Sequence, residues 1–291
     1  MGRVNRCIEL LGQGQPIYWA EPQERSFAGG IQAAQTWNDF VYYDMEHEPY
    51  DIPQLREFMR GLVQGGPTRS GHRTPTVLVA LPLSGTDEPV VRANAWMVNQ
   101  ALATGIHGLL LCHAESPTAV KAFIEAARYP FQRAGVGEGL DEGRRGNGGQ
   151  ATAAGVWGLP IDGYLERADV WPLNPYGEIL IGVKIENKRA LANVEASTCV
   201  PGVGFAEWGP GDMGMSLGFP NKHYEPYPPQ MLQARERVFA ACKAAGIAFS
   251  EFVAPGNVVQ RINEGVMIGG GPEVREAAEV GRRRMKRSMP W

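Results

Sequence analysis

The sequence predicts a (β/α)8 barrel, and three observations carry that expectation. Apolar, β-rich runs alternate with segments of helical periodicity along the chain, the pattern of βα units wound around a parallel sheet. The apolar runs are continuous and turn polar only at their C-terminal ends, as strands covered on both faces do. The length, 291 residues, suits one such barrel, which takes roughly 250.

Eight strands follow in order. PIYWAE (16–21) and DFVYYDMEHE (39–48) are the first two, the second becoming acidic at its end. A helix over 51–62 has Asp51 as its N-cap and Pro53 in its first turn. The third strand, 75–83, precedes a helix over roughly 88–104. The fourth, 107–115, precedes a helix from Ser116 to about Arg128. Segments 179–187, 203–212, 247–252 and 265–270 complete the eight within one domain spanning 1–291.

Two stretches break the repeat. Residues 130–175, and 130–158 above all, are dense in Gly and charge. A long insert of this kind is read either as a mobile lid on the catalytic face or as a disordered surface loop. The Pro- and Tyr-rich segment 219–230 is read as a second, ordered insert.

Composition excludes several classes. With 44% hydrophobic residues the chain can bury a large core. A net charge of −3 gives no basic field for nucleic acid or acidic membranes, so a small molecule is the expected partner. The basic run RRRMKR at 282–287 is read as a solvated helix C-terminus. Cys7, Cys112, Cys199 and Cys242 lack Cys-x-x-Cys spacing, which speaks against a zinc ribbon and a disulfide framework. No signal region or bilayer-length apolar run is present, and a cytoplasmic location is the expectation.

Polar residues gather where strands end: Asp44, Glu46 and His47; His113 and Glu115; Glu186; Glu207 and Asp212. In a (β/α)8 barrel these ends converge on one site. A Mg²⁺-like ion needs few carboxylates beyond water and substrate oxygens, so Glu186 and Asp212 would suffice as ligands. Any one of them alone is more often a cap or an ion-pair partner; their joint placement carries the expectation.

The segment VKIENKRALANVEASTCVPGVGFAEWGPGDMGMSLG (183–218) resembles the metal-binding core of the HpcH/HpaI aldolase family. That core has a strand ending I-E, a helix with R/K-A-L-x-N, and a strand leading into G-P-x-D. Glu186 and Asp212 lie 26 positions apart, as the family ligands do. YYDMEHEPYDIPQL (42–55) is similar to the family's I-D-x-E-H-x-P-x-D, and the likeness continues through 104–111 and 265–285.

The resemblance implies a barrel of the phosphoenolpyruvate/pyruvate-binding type and a class II, metal-dependent aldolase. It also implies Mg²⁺, Mn²⁺ or Co²⁺ bound by Glu186 and Asp212, with Glu46 supporting the metal. By the same resemblance His47 is the catalytic base, flanked by Asp44. Gly209, Pro210 and Gly211 precede a helix whose amides would receive a substrate carboxylate. The last helix, 271–288, resembles a segment exchanged between subunits of a homo-oligomer, a hexamer or trimer. Its stripe of Val274, Ala277, Ala278 and Met285 needs burial.

Two positions depart from the family. Its enolate-stabilising arginine falls on Leu81, and the aspartate that pairs with its histidine falls on Ala103. Losing one such donor elsewhere costs roughly 10²–10³ in rate. His113, a strand-end histidine, is the candidate replacement; Arg144 or Arg145 of the insert is another. Trp19, Leu81 and Trp208 are expected to line a pocket for a bulkier, apolar or aromatic substrate, in the setting of aromatic compound breakdown. The expected activity is carbon–carbon lysis of a 2-oxo or hydroxy acid. The alternatives are a hydratase or other lyase on the same chelating site without a free pyruvate enolate, and a ligand-binding pseudoenzyme. The presence of His47 speaks against the last.

Overall fold

The structure, a computed structural model, describes residues 2–287. Its strands are β1 (Ile17–Ala20), β2 (Phe40–Asp44), β3 (Thr76–Ser84), β4 (Gly108–Cys112), β5 (Val170–Trp171), β6 (Ile179–Lys184), β7 (Phe205–Glu207), β8 (Ala248–Phe252) and β9 (Ile268–Gly270). All pair in parallel. Eight close a barrel, with β4 joined to β6 and β9 to β1, while the two-residue β5 extends the start of β6. The strands are shorter than the apolar runs because their polar ends leave the ladder as turns.

Alternation along each strand divides the core in two. Inside the barrel Ile17, Phe40, Leu78, Leu110, Leu180 and Phe205 meet Cys7, Ile8 and Leu10 of the helix Arg6–Gly12. That short helix, held by the Asn5 cap, plugs the end where the strands begin. The other face of the strands, with Val41, Val77, Val79, Ile181 and Val183, packs beneath the helix layer. Asp51 caps the helix Ile52–Gly65 as expected, its carboxylate accepting the Gln54 N–H at 2.8 Å. This helix touches the helix Phe27–Ala33 through Gly30 and Gly61. A Cβ at either would fall 2.1–2.2 Å from a backbone oxygen of the other helix, so only glycine permits the approach.

The Gly-rich insert is neither a lid nor a loose loop. It follows the helix Pro117–Ala127 rather than a strand, which puts it on the face where strands begin, away from their polar ends. It is also tied down. Buried Arg128 pairs with buried Asp169 at 2.7 Å and donates to the Ala134 carbonyl oxygen at 2.8 Å. Buried Glu125 accepts the Asp141 N–H at 2.9 Å. Arg145 is buried over the Tyr129 ring and donates to the Tyr164 hydroxyl at 2.5 Å. Helices Gln150–Trp157 and Ile161–Arg167 complete the segment. Neither Arg144 nor Arg145 is therefore placed to replace a lost active-site cation.

The final helix runs Val274–Arg284; the expected range 271–288 reaches Ser288, outside the described residues. Val274, Ala277 and Ala278 are buried against Tyr18, Val253 and Val258 of the same chain, and Met285 is half-buried. The stripe thus finds cover without a second subunit. The basic run is not wholly solvated either. Arg282 is buried beside Asp39 at 3.2 Å, and Arg287 pairs with the same carboxylate. Asp39, with its side chain 1% exposed, needs such partners, because an unpaired buried charge is costly.

Candidate active site

The turn after β2 arranges the first group. Asp44 is buried at the strand end, and its Oδ1 accepts the N–H of Glu46 at 2.7 Å and of His47 at 3.2 Å. Its Oδ2 lies 3.0 Å from His47 Nδ1. One carboxylate thus shapes the turn and orients the imidazole. The His47 side chain is 61% exposed and free to meet a ligand. Burial lowers its pKa, but the Asp44 hydrogen bond and the Glu46 charge outweigh it, and the net direction is upward.

The second group forms where β4 and β6 end. His113 has φ 47°, a left-handed conformation uncommon outside glycine. That turn aims its N–H at Glu186 Oε1, 2.7 Å away, and holds its Nδ1 at 3.3 Å from the same oxygen. Its Nε2 lies 3.6 Å from Glu46 Oε1. Glu186 is 1% exposed, and burial raises its pKa against the pull of Lys184. Lys184 closes the cluster, with Nζ 2.5 Å from Glu46 Oε2 and 3.8 Å from Glu186 Oε2. Burial alone would lower its pKa; Tyr42, Glu207, Cys112 and Glu186 around it hold it raised. Glu207, opposite Lys184 in the β6–β7 register, is pushed up to about 7 by burial and by Glu186, Glu46 and Asp44, against Lys184.

Donor atoms of Glu46, His113 and Glu186 fall within 4.8 Å of one another, as do those of Asp44, Glu46 and His47. Among the described residues, Glu186 Oε2 is buried without a hydrogen-bond partner. Gly209 leaves room beside it, since a Cβ there would lie 2.8 Å from Oε2. A buried, unsatisfied carboxylate oxygen within a carboxylate–imidazole set fits a divalent cation.

Other expected site residues fall as follows. Asp212 sits half-buried in the first turn of the helix Pro210–Leu217, after Gly209 as N-cap, and joins neither donor group. Gly209, Pro210 and Gly211 form that helix start; Pro210 is buried, and Gly211 faces His223 of the second insert. Trp19 lies at the mouth, stacked on Tyr42 at 4.6 Å and 6.3 Å from Phe252, which in turn lies 5.8 Å from Tyr224 of the second insert.

Leu81 and Trp208 do not line the mouth. Leu81 is fully buried in the outer layer with Val77 and Val79, and Pro82 is the exposed residue of that strand end. Trp208, 1% exposed, packs in the same layer edge-on to Tyr227. Ala103 packs against Gly149 of the insert, while Asp44 is the aspartate that holds His47. Glu207 is one of the acids expected at the strand ends; Lys184 and the Phe252–Tyr224 pair go beyond the residues expected from sequence. The one sequence signal for Lys184 is a charge at the end of an otherwise apolar strand.

A closed parallel barrel with histidines, carboxylates and a lysine at its strand ends belongs to the (β/α)8 enzymes that work at the barrel mouth. The model of the HpcH/HpaI aldolase/citrate lyase family matches residues 32–269. A hydroxypyruvate/pyruvate aldolase of Paraburkholderia phytofirmans is 30% identical over 254 residues, covering 86% of this chain and 83% of that one. One of the same name from Roseobacter denitrificans is 29% identical over 247 residues, covering 84% and 82%. The crystal structure of an HpcH/HpaI aldolase/citrate lyase family protein from Burkholderia cenocepacia superposes with a TM-score of 0.71 at 24% identity, covering 97% and 98%. The chain belongs to the HpcH/HpaI aldolase/citrate lyase family and is an enzyme of the lyase class.

Proposed function

We propose that the chain is a divalent-metal-dependent carbon–carbon lyase of the aldolase type, acting on a 2-oxo or hydroxy acid with His47 as base. The observation that carries this reading is the juxtaposition of an oriented, accessible histidine with a buried donor set. His47 is fixed by Asp44 at 3.0 Å, and its neighbour Glu46 belongs also to the group with His113 and Glu186. Glu46, His113 and Glu186 would hold the ion, with Asp212 approaching from the helix Pro210–Leu217. When bound, a divalent ion there supplies Lewis-acid polarisation of the substrate's oxo and carboxylate oxygens.

The chain's own residues do the rest. Asp44 presents one imidazole nitrogen and leaves the other to take a proton from the substrate's hydroxyl in the cleavage direction. Asp44 also keeps the protonated ring stable until the proton is returned. The aromatic wall is formed by Trp19 of β1, Phe252 at the end of β8 and Tyr224 of the second insert. It favours an apolar or aromatic tail on the part of the substrate that leaves.

A hydratase reading draws on one observation: the end of β3 offers no cation to the mouth, Leu81 being turned outward. Proton exchange at C3 of pyruvate, followed by NMR with Mn²⁺ and again with EDTA, separates the two. Exchange that needs both the metal and His47 supports the aldolase. Its absence in the metal-loaded wild type, alongside hydration of an enoic acid, moves the assignment to a hydratase.

A further inference from the structure

Lys184 is the feature that the proposed chemistry leaves without a task. It is the last residue of β6, inside the barrel mouth, with its side chain 7% exposed. Its two nearest carboxylates, Glu46 at 2.5 Å and Glu186 at 3.8 Å, both belong to the donor group with His113. An ammonium therefore already pairs with one carboxylate of the donor group and stands close to a second. We propose that Lys184 is a built-in counterion that keeps this carboxylate site assembled without metal and weakens its hold on the divalent ion, so that the ion exchanges readily. The inference rests on the metal site of the preceding reading and adds a control on its occupancy.

Three considerations support it. Glu46, Glu186 and Glu207 crowd one end of the barrel, and like charges at such range repel strongly where water is scarce. Lys184 stands among all three: it pairs with the first, approaches the second, and faces the third across the β6–β7 register. Without it the empty site would be strained, so the ammonium stabilises the metal-free fold. The same ammonium repels an incoming dication and competes for Glu46. Finally, Glu186 Oε2 stays unsatisfied, beyond hydrogen-bonding reach of Lys184. The lysine thus fills only part of the site, leaving one oxygen open for a metal to capture.

The test measures Mn²⁺ binding and the melting temperature of EDTA-treated protein, neither of which depends on turnover. Lys184→Met should bind Mn²⁺ at least tenfold more tightly than the wild type, and its metal-free form should melt lower. Lys184→Arg retains the charge and should stay within about threefold of the wild-type affinity. If Lys184→Met is poorly folded without metal, Lys184→Gln, which keeps a donor for Glu46, should show the same tightening. An unchanged or weaker affinity on removing the charge overturns the proposal, as does tightening in Lys184→Arg equal to that in Lys184→Met. Glu186→Gln separates this failure from that of the metal site. If it binds Mn²⁺ as the wild type does, the site lies elsewhere and both readings fall. If it loses binding while Lys184→Met is unchanged, only the role of Lys184 falls.

Discussion

Asp44 accepts three hydrogen-bond contacts with two oxygens, and the working proton is tuned there. Its charge favours the protonated ring, so His47 titrates above the usual imidazole value. A base works only when neutral, so the acidic limb of kcat/KM should lie above about 6.5. Asp44→Asn should move that limb to lower pH, because the imidazolium loses its partner. The rate should fall roughly 10²–10⁴, as when a comparable orienting carboxylate is neutralised. An NMR titration of His47 in wild type and variant checks the direction; a limb that stays put removes Asp44 from this role. The Asp44–Glu46–His47 cluster was legible because a short motif places all three in one turn. Leu81 lies away from the mouth for a physical reason: plain alternation puts it on the outer face with Val77 and Val79, while Leu78 and Ala80 face inward and Pro82 takes the exposed position. A likeness read along the strand names a position but not the face it meets, and an offset of one residue exchanges the two faces.

At the scale of elements, the start of the helix Pro210–Leu217 leans on Glu186 through Gly209. Gly209→Ala would bring a methyl group to 2.8 Å from Glu186 Oε2 and should weaken Mn²⁺ binding about tenfold or more, roughly 1.4 kcal/mol. Isothermal titration of a variant that melts like the wild type checks it; unchanged affinity would mean that Oε2 is not a ligand. On the neighbouring strand β7, the raised carboxyl of Glu207 has a cost that depends on pH. Its pKa of about 7 in the fold exceeds the ordinary value, so its favourable contribution is complete below about 4.5 and is lost as pH rises through 7. Metal-free Glu207→Gln should therefore be more stable than the wild type at pH 8 by roughly 1–3 kcal/mol, with the gain gone near pH 5. Equal denaturation midpoints at pH 8 would contradict this. Lys184 and Glu207 were visible as letters, but their meaning depends on two strands being neighbours in register, which is a property of the closed sheet.

For the whole molecule, the alternation of apolar runs and helical periods was enough to foresee the barrel, since each strand needs cover on both faces. It did not place the insert, although the expected helix end near Arg128 already held the answer. A segment after a helix lies on the opposite face from one after a strand. Arg128 now anchors that segment, and Arg128→Met should leave Asp169 buried and unpaired at a cost of about 3–5 kcal/mol. Urea denaturation of the variant measures this; a loss under about 1 kcal/mol would show that the pair is dispensable. The assembly expected from the family likeness gains nothing from the stripe on the last helix, which is covered within the chain. Exposed Trp96, Met215 and Tyr224 remain as apolar surface for contacts. Light scattering at micromolar concentration should still give a multimer; a stable 31.7 kDa particle would remove the oligomer from the description.

The placement of the insert has a practical corollary. Residues 146–149, Gly-Asn-Gly-Gly, are exposed, and they belong to a segment anchored on the far side of the barrel from His47 and Glu186. Extra sequence at such a tip encounters solvent, and exposed loop tips are where added residues are best tolerated. A fluorophore tag or an affinity handle spliced there should report on the molecule, or tether it to a surface, while leaving the mouth unobstructed. The same separation lets this stretch of sequence drift freely over generations without disturbing the chemistry, so long as Arg128, Glu125 and Arg145 keep its base fastened.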